Sequence, residues 1–185
     1  SGYLFEPLIA SGFISMGMDV ILVGPLPTPA LPMLINSLRA DMGVMITASH
    51  NTYEYNGLKF FDSKGDKISK NLEIEIENIV LNHKKYLNII NKNTKTGKAL
   101  RLKDAQGRYS EFLKLKLEKK INFNKIKVVL DCGNGATYSI APTLFWELGC
   151  DVIAINNQPD GKNINLNCGA VNVKTLSQKV LTTRA

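Results

Sequence analysis

Lys127-Val-Val-Leu-Asp131 leads through the glycine turn Cys132-Gly-Asn-Gly135 into a segment with Tyr138, Ala141, Phe145 and Leu148 on one helical face. Gly149 and Asp151-Val-Ile-Ala-Ile155 follow. Five-residue runs rich in aliphatic and β-branched side chains suit buried strands, the apolar spacing between them suits a helix, and Gly149 suits its C-terminal stop. Strand, helix and strand in that order need a crossover connection, which predicts a parallel sheet flanked by helices and an α/β protein.

Upstream of this unit, Asp104 is placed to cap a helix through Glu118 that carries Tyr109, Phe112, Leu113 and Leu117. Before it, Asn82 to Lys103 is polar and lysine-rich. A domain boundary is expected there, giving one domain over 1–103 and a second over 104–185. In the first, Leu4 to Met18 has apolar residues at helical spacing and runs into the β-rich Asp19-Val-Ile-Leu-Val-Gly24. Thr28 and Pro29 read as the cap and first residue of a helix reaching Arg39, and Gly43 to Thr47 reads as a strand. Gly57-Leu-Lys-Phe-Phe61 and Asp66 to Ile68 are expected to form a hairpin about the Ser63-Lys64-Gly65 turn. Ser69 then caps a helix with Leu72, Ile76, Ile79 and Val80 along one face.

The chain has 185 residues and a mass of 20.5 kDa, enough for one large or two small domains. It is 44% hydrophobic and 21% charged, with no apolar run near the eighteen or so residues that span a bilayer and no signal-peptide pattern at its start. A soluble cytoplasmic protein is therefore expected. Cys132, Cys150 and Cys168 form no close pair in sequence, so they are expected to be reduced thiols rather than a disulfide framework or zinc site. The net charge of +7 comes from the middle of the chain: residues 81–127 carry fourteen basic and three acidic side chains, against five and nine before them and four and four after. Nineteen of the 23 basic residues are lysine, whereas bidentate recognition of guanine and phosphate favours arginine. A solvated lysine-rich surface accounts for this better than nucleic-acid binding does.

The stretch most capable of chemistry is Thr47-Ala-Ser-His-Asn-Thr-Tyr-Glu-Tyr-Asn-Gly-Leu-Lys59, which gathers hydroxyl, imidazole, amide and ammonium groups just after a strand. Ligands of α/β folds bind at the carboxyl ends of strands, so the position suits a site. Ser49 can act as nucleophile or phosphoryl carrier, with His50 beside it and Lys59 offering charge to phosphate oxygens or a proton. The same residues also suit a polar turn with a capping serine, and spacing does not separate the two. In Asp131-Cys-Gly-Asn-Gly135 the backbone N–H groups can cradle a phosphate, although a tight strand-to-helix connection needs the same glycines. Asp62-Ser-Lys-Gly-Asp66 reads as a turn rather than a calcium loop, and His83 as an exposed histidine. No serine triad, zinc-protease helix or P-loop lysine pattern is present.

On Thr47-Ala-Ser-His-Asn51 and Asn56-Gly-Leu-Lys-Phe60 the sequence resembles the α-D-phosphohexomutase (phosphoglucomutase/phosphomannomutase) family at its phosphoserine loop and the segment after it. The resemblance extends to Leu26-Pro-Thr-Pro-Ala30, Arg39-Ala-Asp-Met-Gly43 and Gly107-Arg-Tyr-Ser-Glu-Phe112. Asp160-Gly-Lys-Asn-Ile-Asn165 with Cys168-Gly169 is similar to the version found in the family's glucosamine-phosphate branch. It implies two successive α/β/α units with mixed, mostly parallel sheets, both incomplete relative to the family, the first carrying the serine loop. It also implies interconversion of glucosamine 6-phosphate and glucosamine 1-phosphate through phosphorylated Ser49 and a bisphosphorylated sugar. By position His50 would orient phosphate, Lys59 would supply general acid/base or charge stabilisation, and Asn51 would support the loop. Mg²⁺ held through a phosphoserine oxygen of Ser49 and a glucose or glucosamine 1,6-bisphosphate activator complete the expectation.

Two departures from the family pattern bear on activity. Thr52 stands where the family usually has proline, which frees a φ angle in the loop. Relative to the family, the first strand and the Asp-Gly-Asp-x-Asp-Arg metal loop are expected to be missing. The isolated chain is then expected to have little activity, and an uncovered sheet edge would favour aggregation. The implied partners are a phosphorylated hexosamine, and either the remaining domains as a separate chain or a second copy; nucleic acid and membrane are not expected. The alternatives are a mannose- or glucose-phosphate mutase, and a non-catalytic remnant or interaction module.

Overall fold

The computed structural model of the protein describes residues 2–82, 84, 87, 95–118 and 121–185. His83 and part of the lysine-rich segment lie outside the described residues. The chain gathers into two compact units, one of Ser1–Gly24, Leu31–Ile46 and Leu58–Lys103, the other of Pro25–Ala30, Thr47–Gly57 and Asp104–Ala185.

In the first unit, α1 (Gly2–Ser15) leads to β1 (Val20–Leu22), whose parallel partner is β4 (Ala99–Arg101), with Val20 opposite Ala99. This partner strand lies in the segment read as a polar connection. All three of its residues are exposed, so no alternation of burial marks it in the sequence. Its origin is the need of β1's backbone for partners: Val20 N–H donates to the Lys98 carbonyl at 2.8 Å, Leu102 N–H to the Leu22 carbonyl at 2.9 Å, and the Asp19 carboxylate accepts from Lys98 N–H at 2.8 Å. An ion pair between Arg101 and Glu6 at 2.7 Å ties β4 to α1.

The helix α2 (Ala30–Leu38) starts one residue after the expected position, behind a turn in which Ala30 N–H donates to the Pro27 carbonyl. It packs on an antiparallel pair, β2 (Gly43–Ile46) and β3 (Leu58–Phe61), with Gly43 opposite Phe61 and Ile46 opposite Leu58. Leu31, Ile35 and Phe61 form the core here, with Met45 against it. The expected hairpin is present in reduced form: residues 66–68 form no strand, but Lys67 bridges Phe61, Asp62 N–H donates to the Asp66 carbonyl and Ile68 N–H to the Phe60 carbonyl, while the full ladder of β3 is with β2. The turn itself is as expected, with Asp62 accepting from the N–H groups of Lys64 and Asp66. Ser69 caps α3 (Lys70–Leu81) by accepting from Leu72 N–H at 3.3 Å. On its expected apolar face only Ile76 and Ile79 are half-buried, while Leu72 and Val80 are exposed.

In the second unit, α4 (Ala105–Lys116) is preceded by Asp104, which makes no capping hydrogen bond and instead holds Arg108 Nε at 2.8 Å. The parallel pair β5 (Lys127–Asp131) and β6 (Asp151–Ile155) runs in register from Lys127 opposite Asp151 to Asp131 opposite Ile155. The crossover helix between them is α5 (Ile140–Glu147), closed by Gly149 at φ +97°. A final helix, α6 (Lys174–Thr183), packs on β5 through the half-buried Leu176, Val180 and Thr183. The fold is thus α/β with parallel and antiparallel sheets, as the strand and helix order implied.

Candidate active site

The loop Thr47–Gly57 leaves the carboxyl end of β2 and returns into β3. Its neck is closed by Thr47 N–H donating to the Gly57 carbonyl at 2.9 Å. Within it, Ser49 N–H donates to Thr47 Oγ1 at 3.0 Å and Asn51 N–H to the Ala48 carbonyl at 3.2 Å. Asn56 Oδ1 accepts from Gly57 N–H at 2.9 Å. These bonds turn the chain so sharply that Ser49 takes φ +60°, the left-handed region that costs a side-chain-bearing residue about 1–2 kcal/mol. Ser49 and His50 are both exposed at this turn. A reactive hydroxyl held in a strained, accessible position is the arrangement a nucleophile or phosphoryl carrier requires.

Ser49, His50 and Asn51 thus share one short loop. Lys59 does not belong to it: it lies two residues past the loop's end on β3, half-buried, in the register position opposite Met45. It makes no ion pair among the described residues. Thr52, where the family pattern has proline, hydrogen-bonds through its side chain to Glu54 and holds that carboxyl below its ordinary value. The position exchanges a ring constraint for a polar tether.

The loop is held from the carboxyl end of the β5–β6 pair. Asp131, the last residue of β5, accepts from Gly133 N–H at 2.9 Å and Asn156 Nδ2 at 3.0 Å through one oxygen, and from Gly169 N–H at 3.0 Å through the other. Between Gly133 and Gly169 sits the side chain of Asn165. A Cβ on either glycine would come within 2.8 Å of Asn165 Oδ1, and both glycines have positive φ, so a side chain at either place would be strained and would push the amide aside. Asn165 N–H donates to the Gly133 carbonyl at 2.8 Å, and its Nδ2 reaches the Asn51 carbonyl in the serine loop at 2.9 Å.

This arrangement decides between the two readings of Asp131–Gly135 in favour of the tight connection over the phosphate cradle. The N–H groups of Cys132, Gly133, Asn134 and Gly135 go to the Ile155 carbonyl, the Asp131 carboxylate, the Asn156 carbonyl and the Cys132 carbonyl. None is left for an anion, and the turn is a tight strand-to-helix connection. All three cysteines are buried free thiols. Burial pushes the Cys132 and Cys168 thiols up; the Thr137 hydrogen bond opposes this at Cys132, and the nearby Asp131 carboxylate adds to it at both. Among the described residues no three His, Cys, Asp or Glu side chains are gathered as a metal site.

Residues 1–87 match phosphoglucomutase/phosphomannomutase, alpha/beta/alpha domain I. Over 181 residues the chain is 48% identical to phosphoglucosamine mutase of Paramagnetospirillum magneticum, covering 98% of this chain and 40% of that protein. Residues 1–87 carry the first domain of that family. It is also 49% identical to phosphoglucosamine mutase of Thermodesulfovibrio yellowstonii, over 100% of this chain and 41% of the relative. A solved phosphoglucomutase/phosphomannomutase family protein from Burkholderia thailandensis superposes with a TM-score of 0.75 at 25% identity, over 97% of this chain and 39% of that one. The chain therefore spans about two fifths of the length of the family members it matches.

Sequence reasoning singled out the serine loop but assigned no role to Asp131, Asn156, Asn165 or Gly169. The available signal was the density of asparagine in Asn156-Asn-Gln-Pro-Asp-Gly-Lys-Asn-Ile-Asn-Leu-Asn167. Asparagine tolerates left-handed backbone, and Asn134, Asn156, Asn165 and Asn167 all have φ between +49° and +55°.

Proposed function

We propose that this chain carries the phosphoserine step of a phosphoglucosamine mutase, interconverting glucosamine 6-phosphate and glucosamine 1-phosphate. The observation that carries the reading is Ser49, exposed at the turn of a loop that fixes it at φ +60°. The choice of sugar follows the relatives at 48–49% identity, which are phosphoglucosamine mutases, over the mannose- and glucose-phosphate alternatives.

In the proposed reaction the Oγ–P bond of phosphorylated Ser49 breaks as a sugar hydroxyl oxygen bonds to phosphorus, giving a bisphosphorylated hexosamine. The hydroxyl proton leaves to a base, and Ser49 Oγ takes up a proton. After the sugar reorients, the reverse transfer from its other phosphate restores phosphorylated Ser49. His50 orients the phosphoryl oxygens, and the Lys59 ammonium offers them charge or supplies the proton to Oγ. The expected Mg²⁺ finds one hard oxygen on this chain, that of phosphorylated Ser49. Mg²⁺ takes six ligands and the described residues gather no acidic cluster, so they do not by themselves form its site and no step here passes through it.

The test is intact-mass and peptide mass spectrometry before and after incubation with glucose 1,6-bisphosphate and Mg²⁺. One phosphoryl group mapping to Ser49, and lost in Ser49→Ala, is the expected result. Its persistent absence in a folded sample would overturn the reading in favour of a non-catalytic remnant. Turnover of glucosamine 6-phosphate by the 185-residue chain alone is expected to be at least ~10²-fold below that of a full-length relative, the scale of losing one electrostatic stabiliser of the transition state.

A further inference from the structure

We infer that Asn165 is the positioning residue of the serine loop, holding it through the Asn51 carbonyl, and that the Asp131 carboxylate fixes Asn165 in place. The inference deepens the phosphoserine reading and, for its effect on phosphoryl transfer, rests on it. Within the loop Ser49 N–H bonds Thr47 Oγ1 and Asn51 N–H bonds the Ala48 carbonyl, and the neck closes between Thr47 and Gly57. Such local bonds set the shape of a turn. The bond from Asn165 Nδ2 to the Asn51 carbonyl joins residues 114 apart and ends two residues beyond Ser49. It ties the turn that carries Ser49 to a residue distant in sequence.

Asn165 is in turn given no freedom. Its backbone N–H is bound to the Gly133 carbonyl, and its side chain lies in a slot that a Cβ on Gly133 or Gly169 would fill. The two walls of the slot are drawn together by one carboxylate, since Asp131 Oδ1 accepts from Gly133 N–H and Oδ2 from Gly169 N–H. Asn156 Nδ2, at the end of β6, steadies the same carboxylate. The relay therefore runs from the rigid end of a strand pair, through two glycines without side chains, to one amide aimed at the loop. An asparagine suits the task because it combines an N–H donor with tolerance of φ +54°. Positioning of this kind matters for phosphoryl transfer, in which alignment of the reacting atoms supplies much of the rate.

The experiment compares the wild-type chain with Asn165→Asp, which keeps the shape and loses the donor, and Asn165→Gly, which removes the side chain and suits the left-handed backbone. Amide hydrogen exchange followed by NMR at Thr47, Ser49 and Asn51 is expected to speed up roughly tenfold in both variants, the scale of one hydrogen bond, with β5 and β6 amides unchanged. Under glucose 1,6-bisphosphate and Mg²⁺, the rate of Ser49 phosphorylation at saturation is expected to fall while the half-saturating concentration holds. Unchanged loop exchange in both variants would overturn the inference. So would loss of β5–β6 protection in both, because Asn165 would then hold the sheet rather than the loop. A wild-type chain that accepts no phosphoryl group would overturn the mutase reading alone, and the exchange result would still decide the role of Asn165.

Discussion

Ser49 concentrates the strain of its loop at a single φ angle of +60°. The left-handed backbone costs about 1–2 kcal/mol for a serine, and glycine would avoid that while adding roughly 0.5–1 kcal/mol of unfolded-state entropy. Ser49→Gly is therefore expected to stabilise the chain by about 0.5–1 kcal/mol in urea denaturation while removing the hydroxyl proposed to carry phosphate. A destabilised variant would show that the loop imposes no strain at this residue. The thiols of Cys132 and Cys168 behave in the opposite way, being inert by design of their surroundings. Burial raises both above the ordinary thiol value, so they favour the protonated form in the folded chain. A group raised on folding contributes stability that is fully present below its unfolded value and lost as pH rises through the folded one. The urea midpoint is thus expected to fall as pH climbs above the ordinary thiol range. Alkylation of the two thiols at neutral pH is expected to be slow until the chain is unfolded, as peptide mapping with iodoacetamide would show.

Among the elements, the seat of α2 on β2 depends on one missing side chain. A Cβ on Gly43 would come within 2.7 Å of Ile35 Cδ1 and 3.1 Å of the Leu31 side chain. Gly43→Ala is expected to destabilise the chain by about 1–3 kcal/mol through overpacking, and Ile35→Val in the same background to recover part of the loss. Thermal unfolding of the single and double variants would check this; an unaffected single variant would mean that α2 can shift. What the sequence revealed at this scale follows how each element is stabilised. The β5–α5–β6 crossover was legible because its apolar spacing and its terminating Gly149 agree. Ser69 was legible as a cap because capping is local. The strand β4 was not, since three exposed residues carry no burial pattern and the strand exists through its distant partner β1. The hairpin was legible at its turn but not in its extent: β3 bonds forward to residues 66–68 through a single bridge and backward to β2 through a full ladder, and the distant pairing leaves no mark near the turn. At the site, Ser49 stood out by residue type. The Asp131–Asn165 relay did not, because its members are ordinary turn residues until the fold brings residues 51 and 165 together.

Over the whole molecule, the chain passes between its two compact units at 24/25, 30/31, 46/47, 57/58 and 103/104. The serine loop and the Asp131–Asn165 relay that holds it belong to the same unit. The first unit also leaves apolar surface in water, with Tyr3, Leu4 and Leu8 of α1 exposed by 93%, 61% and 58%, and Leu100 of β4 by 64%. Surface of this kind promotes association. Sedimentation velocity is expected to show concentration-dependent self-association that a Leu4→Lys, Leu8→Lys variant reduces; equal behaviour of the two would place the sticky surface elsewhere. The 114 residues separating Asn51 from Asn165 also have a meaning in time. A ribosome adding about 5–20 residues per second needs roughly 6–23 s to travel between them. Through that interval the nascent serine loop has its own turn bonds but not the tie from Asn165, which it gains only after residue 165 has been made.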